Sequence, residues 1–322
     1  MPDLMRRRDF LKRSSGALIA GAAGFATGVP RASAETAAAG AGAAFRFAFL
    51  TDIHVRPELR AEEGFRKCVA AVNGLRPRAD FVITGGDLVA DALAADPSRA
   101  KLLWDLFENV CKDIDAPVYH VIGNHDVLGW SPRSSVPLNH PHFGKRIFKD
   151  RVGRGRTYRS FDHKDWHFVL LDSVGRAADG RGYLGLIDDE QVAWLERDLR
   201  AVGTRRPIVV VTHIPFFSVW FQMHYGPHAN PPKKDRFFIK NARPLRKLFA
   251  QYNVRLILQG HMHVNERIVV SGQTYITTGA VCGNQWKGPR FGEFPEGFGV
   301  VTIRQDQFDY AYHTYGWKAA QP

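Results

Sequence analysis

The chain has 322 residues, 45% of them hydrophobic and 24% charged, which is enough apolar material for one large core and too much for a disordered chain. A net charge of +12 suits an anionic ligand or a basic solubilising surface, and no basic run in the body of the chain is dense enough to indicate nucleic acid. Three cysteines cannot all pair, and none has the Cys-x-x-Cys spacing of a structural zinc site.

At the N-terminus, Arg7-Arg8-Asp9-Phe10-Leu11-Lys12 precedes a weakly apolar stretch from Gly16 to Val29 and then Ala32-Ser33-Ala34. This looks like a twin-arginine export signal over residues 1–34, cleaved after Ala34, and implies a periplasmic or secreted protein carried by the twin-arginine export machinery. The apolar stretch falls short of the roughly 20 strongly hydrophobic residues that span a bilayer, so no stable membrane anchor is expected after cleavage. An Ala/Gly linker follows over 35–44, and one catalytic domain is expected over 45–322.

From Phe45 onward short apolar runs alternate with helical stretches, the pattern of a layered α/β protein. Strands are predicted at Phe45–Leu50, Asp80–Thr84, Val118–Ile122, Trp166–Leu171, Pro207–Val211, Val254–Leu258, Glu266–Val270, Gln273–Thr277, Gly299–Ile303 and Phe308–Thr314. Between them lie apolar stripes at helical spacing: Phe65, Cys68, Val72 and Leu75; Leu102, Leu106 and Val110; Val192, Leu195, Leu199 and Val202; Leu245, Leu248, Phe249 and Tyr252. The late strands lack long helices between them, which predicts a second sheet closing on the first. The expected fold is a four-layer αββα sandwich of two mixed β-sheets flanked by helices. Cys68 and Cys111 fall on the apolar faces of predicted helices and read as small buried hydrophobes, with a Cys68–Cys111 disulfide as the alternative. Three long loops, Val127–Arg156, Pro215–Lys240 and Gly279–Gly297, are functional candidates. Their His140, His142, His224 and His228 read as exposed loop histidines, and Arg151, Arg154, Arg156 and Arg159 as solvating charges.

Five polar motifs end predicted strands in one order: Asp52-Ile53-His54, Gly86-Asp87, Gly123-Asn124-His125-Asp126, Thr212-His213 and Gly260-His261-Met262-His263. Open α/β sheets place ligands at such strand ends. Each motif alone is cheap, but the ordered set resembles the calcineurin-like metallophosphoesterases, whose signature runs without a gap from Asp52 to His263. Within that family the chain is most similar to the bacterial cyclic-nucleotide phosphodiesterase-like branch. Ala90 stands where purple acid phosphatases carry a tyrosine, and Val127-Leu128-Gly129-Trp130 follows where protein phosphatases keep arginines.

A carboxylate has two oxygens and bridges two cations, which makes Asp87 the candidate to hold a metal pair about 3.5–4 Å apart. The resemblance implies that Asp52, His54 and His263 complete one metal site and Asn124, His213 and His261 the other. Four imidazoles, two carboxylates and an amide, with no thiolate, suit two divalent or trivalent ions of Fe, Mn or Zn. It further implies hydrolysis of a small phosphate-ester substrate by a metal-bridging hydroxide, phosphodiesters slightly preferred. His125 then contacts the phosphoryl group or protonates the leaving oxygen, with Asp126 as its orienting partner. Trp286, Lys287 and Arg290, on the last long loop, are candidates to stack on and pair with substrate. The rival readings are a phosphomonoesterase acting on nucleotides or sugar phosphates, and a non-catalytic metal-binding relative.

Overall fold

Side-chain alternation along the strands decides which surfaces pack, because successive residues of a strand face opposite sides of its sheet. The structure is a computed structural model that describes residues 44–180, 182–226 and 234–320; the predicted export signal, most of the linker and His228 lie outside the described residues. In β1 (Phe45–Leu50), Phe45, Phe47 and Phe49 enter one core while Ala48 and Leu50 enter another. β1 joins β2 (Phe81–Gly85), β3 (Val118–Val121), β12 (Gly297–Arg304) and β13 (Gln307–Thr314) in a sheet of order β13-β12-β1-β2-β3. A second sheet contains β4 (Arg159–His163), β5 (Trp166–Leu170), β8 (Ile208–Val211), β9 (Val254–Gln259), β10 (Glu266–Val270) and β11 (Gln273–Thr277), ordered β10-β11-β9-β8-β5-β4. β6 (Val174–Arg176) and β7 (Tyr183–Gly185) make a separate two-stranded ribbon.

Both sheets are mixed: β1, β2 and β3 run parallel, as do β5, β8, β9 and β11, while β12, β13, β10 and β4 pair antiparallel. Between the sheets Phe47, Phe81 and Phe168 meet Val209, Leu256 and Val301. Phe47 stacks on Phe81 at 5.0 Å and meets Phe168 edge-on at 5.4 Å. Each such side chain contributes about 1.5–3 kcal/mol by burial, so the inter-sheet layer fastens the two sheets to each other.

The outer faces of the sheets are covered by helices. α1 (Ala61–Asn73) buries Phe65, Cys68, Val69 and Val72. α2 (Pro97–Cys111) starts where the Asp96 side chain accepts the Arg99 N–H at 2.9 Å and Pro97 needs no donor. Its buried face is Ala100, Leu103, Trp104, Phe107 and Val110, which corrects the predicted stripe: Leu102 is 46% exposed. Trp104 and Phe107 carry more apolar area than Leu102 and Leu106, so the helix turns that face inward.

A short α3 (Arg146–Phe148) lies in the first long loop, where Arg151 reaches Asp105 and Glu108 of α2, each at 2.8 Å. Arg151 therefore ties the loop down rather than merely solvating it. α4 (Asp189–Val202) begins at the Asp188 cap, α5 (Val219–Tyr225) at the Ser218 cap, and α6 (Ala242–Phe249) buries Leu245 and Phe249. All three cysteines are free, so Cys68 and Cys111 do not form the alternative disulfide. Among the described residues no helix is long and apolar enough to cross a membrane.

His167 shows how this scaffold handles a buried charge. Its Nδ1 lies 2.6 Å from Asp162 and its Nε2 2.9 Å from Asp198. Burial alone would lower the imidazole pKa, but the two carboxylates override it and hold it above the ordinary value. A raised folded-state pKa adds stability that is complete below the unfolded value of about 6.5 and lost as pH rises through the folded value. His167→Phe is therefore expected to cost about 1–3 kcal/mol at pH 6, with the gap to wild type narrowing as the pH is raised. Urea melts at several pH values read this directly, and a gap independent of pH would assign the effect to packing alone.

Candidate metal centre

Every motif residue leaves the C-terminal end of a parallel strand, Asp52 and His54 after β1, Asp87 after β2, Asn124 after β3, His213 after β8, and His261 and His263 after β9. Both sheets thus open onto one rim. Five of these residues adopt left-handed backbone: Asp52 at φ 55°, His54 at 44°, Asp87 at 52°, His261 at 70° and His263 at 56°. Each such non-glycine residue costs about 1–3 kcal/mol and persists where surrounding contacts over-determine it. Here the Asp52 N–H donates to Gly86 O at 3.0 Å, His54 N–H to Asp87 O at 2.9 Å, and Cys282 N–H to Asp52 O at 3.2 Å. Gly123 admits the tightest approach: a Cβ there would lie 2.0 Å from the Asp87 nitrogen and 2.3 Å from its Oδ1.

Three imidazoles are oriented by backbone carbonyls. His213 Nδ1 donates to Gly85 O at 2.8 Å, His263 Nδ1 to Gly283 O at 2.6 Å, and His54 Nδ1 faces Ala90 O at 3.4 Å. With the proton on Nδ1, each Nε2 presents a lone pair inward. The Nε2 atoms of His54 and His263 are 3.2 Å apart. Asp87 Oδ2 lies 3.4 Å from His54 Nε2 and 3.2 Å from His213 Nε2, while Asp52 Oδ1 lies 3.2 Å from His263 Nε2. Asn124 Oδ1 completes the set at 3.2 Å from His213 Nε2.

Acceptors facing acceptors repel, and Asp52 Oδ1 and His261 Nδ1 are buried with no hydrogen-bond partner. Cations fit that arrangement. Potential ligand atoms gather in three sets, each within 4.8 Å: His54, Asp87 and His125; Asp87, His213 and His261; His54, His263 and Cys282. Asp87 and His54 each belong to two of them, and of the pair Asp87 is the carboxylate, with oxygens able to serve two ions. The carboxylates also draw positive charge into the site, against the cost of burial. Burial lowers His54 to about 4, whereas at His213 the Asp87 carboxylate overrides burial and raises the pKa to about 9. Burial opposes ionisation of Asp52, yet His263 and His54 hold its carboxyl well below the ordinary range.

The remaining sequence-derived candidates divide. His125 sits on the open side with its ring 31% exposed, its N–H donating to Asp87 Oδ1 at 2.7 Å and its Nε2 4.0 Å from Asp87 Oδ2. Asp126 is not its partner. In the 3-10 turn Asn124–Asp126 that carboxylate folds back to accept Gly123 N–H at 2.8 Å, and it also accepts Leu88 N–H at 2.8 Å and Val89 N–H at 3.2 Å. It staples two site loops together. The carboxylate beside His125 Nδ1 is Asp91, at 3.6 Å, a residue the sequence reading missed because it belongs to no motif. At His125, burial would lower the pKa, but Asp87 and Asp91 raise it above the ordinary value.

Trp286 is not a stacking platform either. It is 1% exposed, its Nε1–H is shared between the carbonyls of Ile53 at 3.0 Å and His54 at 3.1 Å, and its ring meets Trp317 edge-on at 5.7 Å. It buttresses the Asp52–His54 loop from behind. Trp286→Ala is expected to cost about 3–5 kcal/mol and to weaken metal retention through that loop; unchanged thermal stability would remove this role. Lys287 is exposed, and Arg290 donates to Asn284 Oδ1 at 3.0 Å while covering Phe291 at 4.4 Å; neither contacts a motif residue. His142 pairs with Asp150 at 3.1 Å and makes no contact with the motif residues.

Comparison with known proteins adds the lineage. Residues 45–265 match the family model for calcineurin-like phosphoesterase. The chain is 27% identical over 259 residues to a zebrafish (Danio rerio) protein named serine/threonine-protein phosphatase CPPED1, covering 77% of this chain and 73% of the relative. It is 25% identical over 206 residues to the Haemophilus influenzae 3',5'-cyclic adenosine monophosphate phosphodiesterase CpdA, covering 63% and 61%. Among solved structures, a dimetal phosphatase from Danio rerio shares the fold with a TM-score of 0.57 at 17% identity, covering 84% of this chain and 99% of that one.

Proposed function

The chain belongs to the calcineurin-like phosphoesterase family, and from that premise we propose that it hydrolyses phosphate esters at a pair of metal ions, phosphodiesters slightly preferred. The observation that carries the proposal is Asp87 Oδ2, set 3.4 Å from His54 Nε2 on one side and 3.2 Å from His213 Nε2 on the other. One carboxylate oxygen facing imidazoles on both sides is an arrangement that lets a single ligand serve two ions. Asp52, His54 and His263 would hold one ion and Asn124, His213 and His261 the other, with Asp87 available to both. When bound, Fe, Mn or Zn at this centre activates water and draws charge from the phosphoryl group. His125, on the open side and steadied by Asp91, keeps a proton at Nε2 for the leaving oxygen.

The phosphodiester preference rests on similarity to relatives named cyclic AMP phosphodiesterases. A phosphomonoesterase is the second reading, favoured by the phosphatase name of the 27%-identical relative. Hydrolysis of bis(p-nitrophenyl) phosphate and p-nitrophenyl phosphate by protein loaded with Mn, Fe or Zn separates the two. A higher kcat/KM for the diester is expected; a monoester preference replaces the first reading by the second. Two bound metals with no hydrolysis would indicate a non-catalytic relative. The N-terminal Arg7-Arg8 motif supports export to the periplasm by the twin-arginine route, and replacing both arginines by lysine is expected to leave the precursor in the cytoplasm.

A further inference from the structure

Beyond His261, across one tyrosine ring, stands a cation that no carboxylate among the described residues neutralises. The ring of Tyr183, on β7, meets the His261 ring edge-on at 6.2 Å and 90°. The Arg236 guanidinium lies over that tyrosine, its Cζ 5.5 Å from the ring centre. Its Nη2 lies over Gly182, 2.6 Å from where a Cβ would fall, and the φ of 90° there favours glycine. Among the described residues no carboxylate pairs with Arg236 and none of its nitrogens is hydrogen-bonded, whereas on the neighbouring loop Arg290 bonds Asn284 and Arg56 bonds Gln285.

Arg236 and Tyr183 are both partly buried. A partly buried guanidinium held only by a ring face keeps its N–H donors free, and a ligand anion would pair with them. Tyr183 offers a second donor, its phenol O–H, on the ring that Arg236 covers. The pair stands one full ring away from His261, outside the metal ligands themselves.

We propose that Arg236 and Tyr183 form a specificity subsite for a second anionic group, a phosphate or carboxylate, on the alcohol portion of the substrate. The inference rests on the phosphoester reading of the metal centre, which places the reacting phosphoryl group at His261 and its substituent against Tyr183. Arg236 supplies the charge and Tyr183 the platform and a hydrogen bond. Substrates with a neutral alcohol portion leave the subsite unused.

The test is calorimetric titration of Mn-loaded protein with glycerol 3-phosphate and 3-phosphoglycerate, probes that differ chiefly by one carboxylate. Wild type is expected to bind 3-phosphoglycerate tighter, on the order of tenfold. Arg236→Ala removes that preference while leaving glycerol 3-phosphate affinity within about twofold, Arg236→Lys restores part of it, and Tyr183→Phe reduces it. Equal loss for both probes, or no loss for either, overturns the subsite. Hydrolysis of the p-nitrophenyl esters by the same samples keeps the two readings apart. Activity without the carboxylate preference rejects the subsite alone, and the preference without activity rejects the hydrolytic reading while the anion site stands.

Discussion

Asp87→Ala is expected to abolish ester hydrolysis and to bring bound metal below one ion per chain. Asp87 Oδ2 faces both His54 and His213, so its removal takes a ligand from each ion at once. It also removes the acceptor for His125 N–H, 2.7 Å from Oδ1, and so loosens the turn that carries Asn124. Asp87→Asn separates these effects. The amide oxygen still accepts the His125 N–H, which preserves the turn, but the negative charge between the imidazoles is gone. Metal content by elemental analysis and kcat on a p-nitrophenyl ester are expected to fall for both variants, with Asp87→Asn keeping the thermal stability of the metal-free wild type. Two ions per chain in Asp87→Ala would end the bridging assignment.

His125→Ala is expected to behave in the opposite way, keeping both ions and losing roughly 10² to 10⁴ in kcat, the range for removal of a positioned general acid. Its ring lies on the open side of the site, and the other six candidate ligand side chains around Asp87 remain in place without it. Asp91→Asn is the graded companion: it leaves the imidazole present but removes the carboxylate 3.6 Å from Nδ1, and a smaller loss of about tenfold is expected. The informative comparison is kcat against metal stoichiometry for the two variants. Loss of an ion in His125→Ala would make His125 a ligand, in keeping with its proximity to His54 and Asp87.

The parts of this protein legible from sequence are those fixed by local periodicity. Phe45, Phe47 and Phe49 alternate with smaller residues, and that alternation alone orients β1 between two cores. The five polar motifs were readable because each follows an apolar run that becomes a strand, and the parallel strands deliver them to one rim. Asp126 and Asp91 were not readable in the same way. Which carboxylate meets His125 depends on the 3-10 turn at Asn124–Asp126, whose geometry sends the Asp126 side chain back to Gly123 and leaves Asp91, from a different loop, to fill the place. Trp286 read as a substrate platform because it stands among Lys287, Pro289 and Arg290, yet its burial is set by Trp317 and by the carbonyls of Ile53 and His54, all remote in sequence. Long-range contacts of this kind have no signature in a local window.

The most direct test of the central claim is the metal stoichiometry of purified protein, measured by elemental analysis on the same sample assayed for ester hydrolysis. Two ions of Mn, Fe or Zn per chain, lost together with activity on chelation and regained together on reloading, are the expected result. A protein that neither holds metal after reloading nor cleaves either p-nitrophenyl ester would contradict the account.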